Sequence, residues 1–139
     1  VEYATYDADA GGEDGTLTSV SVGYALDQFN LSFSNSVADA DWAGINNDPH
    51  GTHGITDLFN GGDLDNTTIG VSTDGLMEGV GVTLNFITIA RDSDGADLGS
   101  EIDLILDFSC GQLGYASFSA DDAGLTDTDY LYWQSSYDF

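Results

Sequence analysis

The sequence predicts an all-β fold, an antiparallel up-and-down barrel of about eight strands in this chain. Three observations predict it. Apolar and small polar residues alternate along most of the chain, short and long connections follow one another in turn, and carboxylates gather in the long connections.

The alternating segments are Val1–Asp7, Thr16–Leu26, Gln28–Ser36, Asn66–Thr73, Val80–Ala90, Leu98–Ser109, Gln112–Ser119 and Asp129–Phe139. In the second, Val20, Val22, Tyr24 and Leu26 fall on one face and Ser19, Ser21, Gly23 and Ala25 on the other. A period of two means a strand with two unlike faces. The third sets Phe29, Leu31 and Phe33 against Asn30, Ser32 and Ser34. The fifth sets Val80, Val82, Leu84 and Phe86 against Gly81, Thr83 and Asn85. The sixth places Glu101, Asp103 and Asp107 on one face, opposite Ile102, Leu104, Leu106 and Phe108. The last sets Leu131, Trp133, Tyr137 and Phe139 against Tyr132, Gln134 and Asp138, with Ser135 a gap in the apolar row.

The short connections lie near Asp27, over Asp74–Gly79 and over Cys110–Gly111; the long ones are Ala8–Gly15, Val37–Asp65, Arg91–Asp97 and Ala120–Thr128. In a meander, alternate connections share an end, so the short turns belong to one end and the long loops to the other. Of the 25 Asp and Glu, 17 fall in the long loops and their strand edges. One end is therefore strongly acidic.

The formal net charge is −24, with a single Arg, Arg91, and no Lys. This excludes nucleic acid as a partner class, because phosphate binding needs cationic side chains. Two readings of the acidity stand: solubility or adaptation to salt, and affinity for cations. One cysteine, Cys110, excludes an internal disulfide framework. No run approaches the ~20 apolar residues of a membrane helix. No secretory leader is read, and the expectation is a mature or trimmed chain.

Short turns at one end, long loops at the other and two-faced strands are the layout of a transmembrane β-barrel. A soluble barrel or sandwich also alternates, with its apolar face inward. Two features favour lipid outside. The polar face is mostly Ser, Gly, Thr, Ala and Asn, and aromatic residues sit near strand ends, as at Tyr24, Phe29, Tyr130 and Trp133. The expectation is a single domain over 1–139, or the C-terminal part of a larger barrel, in a bacterial outer membrane, with one long loop over 37–65.

The run Asp97–Phe108, then Leu113–Asp122, then Asp127–Trp133 ending in Phe139, resembles the closing strands of alginate-export-like porins. Gly54–Phe59 and Gly79–Arg91 resemble the long loop and the strand after it in that family. The terminal aromatic with alternate apolar residues behind it is similar to the signal that barrel-insertion machinery recognises. On that resemblance Leu131, Trp133, Tyr137 and Phe139 are the signal positions. Family members are several times longer and line the pore with Arg and Lys as well as acids, so alginate transport does not carry over to a chain with one Arg.

The expected function is a porin-like barrel for passive, cation-preferring diffusion of small solutes. Glu101, Asp103, Asp107, Asn85 and Arg91 are the expected pore-lining residues. The alternatives are a structural or adhesive barrel and a secreted acidic β-protein such as a fibre subunit, either with cation-binding loops. Asp92, Asp94 and Asp97, with Asp121 and Asp122, are candidate cation-binding groups, since Ca²⁺ takes oxygen ligands on flexible turns; a plain acidic loop is the competing reading. His50 and His53 specify no third ligand for zinc, and no other cofactor is expected. No nucleophile–base pairing is legible, so enzyme activity is not expected. Expected partners are outer-membrane lipid, the insertion machinery and small solutes or cations; a homo-oligomer stays open.

Overall fold

The computed structural model describes residues 2–6, 15–41, 55–56, 58–59 and 62–135. They form an all-β, antiparallel, up-and-down sheet with no helix among them. The strands are β1 (Glu2–Tyr6), β2 (Gly15–Leu26), β3 (Phe29–Ala38), β4 (Leu64–Met77), β5 (Val80–Ala90), β6 (Asp97–Phe108), β7 (Gly111–Ala120) and β8 (Thr128–Ser135). They pair in chain order within one eight-stranded sheet. Among the described residues no pairing joins β1 to β8, so the closure expected of a barrel is not part of what the sheet displays. Tyr137 and Phe139 lie outside the described residues, as do His50 and His53.

Three hairpins close in two-residue turns at residues 27–28, 78–79 and 109–110, and the longer connections share the opposite end. Asp27 and Gly79 take positive φ, 53° and 75°, as tight hairpin turns require. One boundary departs from the alternation. β4 runs on to Met77, where the sequence predicts a turn over Asp74–Gly79. The Gly75 N–H donates to Thr73 Oγ1 at 3.0 Å, and the register shifts between Thr73 and Met77. This local bond absorbs the irregularity, so pairing resumes at Met77 with Val80 instead of ending at Thr73.

The register aligns the apolar rows across strands. Tyr24, Leu31, Val71, Leu84, Leu104, Tyr115 and Leu131 form one row, and Val22, Phe33, Ile69, Phe86 and Ile102 form the next. A third, toward the short turns, holds Leu26, Phe29, Val82, Leu106, Leu113 and Trp133. Much of this outer face is open to its surroundings: Val22 is 64% exposed, Ile69 58% and Leu131 68%. The apolar rows do not meet one another in a dry core.

Both faces change character toward the long loops. On the outer face the next row starts at Val20 on β2 and is then polar through Asn35, Thr67, Thr88, Ser100 and Ser119. On the inner face at that same level the side chains turn apolar, and Leu64, Ile87, Ile89, Leu98 and Phe118 pack into a buried cluster with Phe59, Ala120 and Leu125 against it. The register shift between Ile89 and Ala90 accompanies the burial of Leu98, whose position otherwise shares parity with the outward Ile102.

The long-loop end is held by polar contacts. The Thr16 N–H donates to Asp39 Oδ2 at 2.8 Å, the Asp63 N–H to Asp39 O at 2.8 Å, and the Ser93 N–H to Asp63 Oδ1 at 2.8 Å. Arg91 meets Asp94 at 2.9 Å, Asp122 at 3.7 Å and Asp63 at 3.9 Å, so one cation ties three loops.

Candidate functional site

The inner face is built from small residues. The row through Asp103 reads Gly23, Ser32, Gly70, Asn85, Asp103, Ala116 and Tyr130. A Cβ on Gly70 would collide with Ser32 Oγ and Asn85 Oδ1, so glycine leaves room for two polar side chains to converge. The row through Glu101 reads Ser21, Ser34, Thr68, Ile87, Glu101, Phe118 and Thr128. Alternation on β6 sets Glu101 and Asp103 on this face, two residues apart.

Both carboxyls are buried, Glu101 at 0% exposure and Asp103 at 2%. Glu101 is satisfied by a residue from the long β3–β4 connection: the Thr56 N–H donates to Oε1 at 2.9 Å, and the Thr56 hydroxyl donates to Oε2 in a short bond. The Asp103 carboxyl meets that of Glu101 and takes a hydrogen bond from the Ile55 backbone. Its Oδ1 has no hydrogen-bond partner among the described residues. Two like charges this close and out of water repel, so the pair needs a counter-charge, either a proton or a cation.

The expected lining residues divide. Glu101, Asp103 and Asn85 come together on the inner face. Asp107 shares the face but is exposed near the short turns, where the Gln112 amide donates to it at 2.7 Å. Arg91 sits apart, beyond the end of β5, committed to Asp63, Asp94 and Asp122 at the rim. Leu131 and Trp133 are exposed on the outer face.

The loop acids are turn caps. Asp94 Oδ1 accepts from the Ala96 N–H at 3.0 Å, Asp97 Oδ1 from Gly99 at 3.2 Å, and Asp122 Oδ1 from Gly124 at 2.7 Å. The Ala96 amide and then the Arg91 guanidinium hold the Asp94 carboxyl below the usual carboxylate range. Asp92 and Asp121 are exposed. Among the described residues, no three or more His, Cys, Asp or Glu converge as metal ligands. Cys110 is exposed in the β6–β7 turn.

Alternation alone did not point to Ile55, Thr56 and Phe59, which the sequence places in an outer loop. A signal existed. Ile87 and Ile89 share the inward parity of Asn85, and an apolar pair on an otherwise polar face needs a cover.

No family model, characterised protein or solved structure matches the chain.

Proposed function

We propose that this chain forms the wall of a bacterial outer-membrane β-barrel for passive, cation-preferring diffusion of small solutes. One observation carries the reading: the two faces exchange polarity at one level. Toward the short turns the outer face is largely apolar and exposed while the inner face is mostly polar; from the row of Asn35, Thr67 and Thr88 onward the outer face is mixed and mostly polar, and the inner face holds a core. A soluble sheet has no reason to expose three apolar rows, the longest crossing seven strands, and then revert to ordinary burial. A lipid boundary accounts for both halves. Three rows spaced by about 6.6 Å reach about 13 Å along the strand from first to last and about 20 Å with the width of their side chains, against the ~25 Å apolar band of such barrels. Closure follows in this reading because unpaired strand edges in hydrocarbon cost several kcal/mol per group.

Cation preference rests on Asp103 and Glu101 facing inward with Asn85, and on the absence of any Lys. Purified protein in planar bilayers is expected to pass current with cations favoured, and Asp103→Asn to reduce the preference. Anion preference removes the selectivity claim.

The apolar cluster around Ile89 and Phe118 favours a second reading, a structural or adhesive barrel with a filled interior. It predicts the same detergent requirement and heat-dependent migration but no conductance in any variant.

A further inference from the structure

Three described residues of the long β3–β4 connection, Ile55, Thr56 and Phe59, lie against the inner face of the sheet. Ile55 is buried, Thr56 bonds to Glu101 with both its donors, and the Phe59 ring meets Phe118 edge-on at 5.7 Å and 70°. Phe59 also packs on the cluster of Leu64, Ile87, Ile89 and Leu98.

We propose that Ile55, Thr56 and Phe59 form an internal plug over the inner face, latched by Thr56 on Glu101. The proposal rests on the reading of that face as a solute path. A carboxylate buried without donors costs several kcal/mol, and among the described residues the partners of Glu101 other than the neighbouring Asp103 carboxyl are the amide and hydroxyl of Thr56. Seating the segment therefore satisfies Glu101, and Glu101 in turn holds the segment. The return end of the same connection is fixed separately, by Asp63 on Asp39 and Ser93 at the rim. The plug can leave Glu101 while the rim stays folded.

The two buried acids then have different tasks. Glu101 is the latch and is spent on Thr56. Asp103, with Oδ1 unpartnered and Asn85 beside it in register, is the carboxyl left to act on passing cations once the segment lifts. Thr56 is thus a positioning residue: it touches no solute and sets whether the path is covered.

The test uses the whole chain in lipid vesicles and planar bilayers, with Thr56→Val, Glu101→Ala and, as a control, Thr126→Val in the exposed β7–β8 loop. Hydrogen–deuterium exchange is followed over residues 55–59 and over β4–β7. Thr56→Val keeps the β-branched shape and removes only the hydroxyl, so it remains informative if Glu101→Ala fails to fold. Exchange at 55–59 is expected to rise roughly tenfold in both variants, with strand amides unchanged, because a buried hydrogen bond holding the segment has been lost. Conductance is expected to rise severalfold in both and in neither respect to change in the control. Unchanged exchange at 55–59 overturns the latch. Wild-type current that neither variant alters overturns the plug alone. No current in wild type or variants defeats the diffusion reading and the plug with it.

Discussion

The Tyr132 ring lies across the face of Gly114, its pairing partner on β7, and its hydroxyl donates to Gln112 Oε1 in a short bond. A Cβ at position 114 would overlap the ring. The glycine is therefore a seat, and the aromatic covers backbone that would otherwise be bare. Gly114→Ala is expected to destabilise by about 1–3 kcal/mol through overpacking, and Tyr132→Phe by about 1 kcal/mol through the lost hydrogen bond. Urea titration of vesicle-reconstituted protein checks both. A neutral Gly114→Ala means the ring does not need this position empty.

The outer face supplies a sharper measurement. Ile69 is 58% exposed in the middle of an apolar row. On a water-facing surface Ile69→Arg is nearly neutral. Facing the middle of a bilayer it costs about 2–4 kcal/mol. Folding in lipid vesicles distinguishes the two, and a cost below about 0.5 kcal/mol contradicts the lipid assignment.

Arg91 joins three loops through partly exposed ion pairs, which salt screens. Arg91→Gln is expected to lower the melting temperature in dilute buffer, with the difference shrinking as salt is raised. The same contact has an acid limb. Asp94 titrates below its ordinary value of 3.8 in the folded chain. A carboxylate lowered by folding contributes stability above its unfolded value and loses it as pH falls through the folded one. The Arg91→Gln difference should therefore be full above about pH 4 and fade below it. A difference that persists at low pH assigns the effect of Arg91 to packing instead.

Cys110 is exposed in a two-residue turn, at the end opposite the acidic loops. On the proposed placement in an outer membrane, a maleimide too bulky for a small-solute pore should leave Cys110 unmodified in intact cells, and permeabilising that membrane should expose it. Labelling of intact cells would reverse the orientation.

Strand identity and facing were legible because they depend on neighbours in the chain: Val20, Val22, Tyr24 and Leu26 declare β2 by period alone. The turn at Asp27 was legible for the same reason. The continuation of β4 past Thr73 was not, because a single Gly75–Thr73 bond converts apparent turn chemistry into a bulge. The burial of Leu98 was hidden by a register shift that changes which face a parity count assigns it to. Least legible was Thr56 on Glu101, a contact across 45 positions that no local pattern records. The acids Glu101 and Asp103 could be placed on the inner face from sequence; which of them is occupied could not.

The three hairpin turns have a further consequence. Each holds its strands in step from the short-turn end, through as few as two residues. Peptide added at the other end, after Gly124 for instance, would lengthen an exposed connection while the three tight hairpins keep their own registers. Such a chain carries its alignment at one pole and its freedom to diversify at the other, and foreign sequence grafted into the acidic pole would be displayed on an unaltered frame.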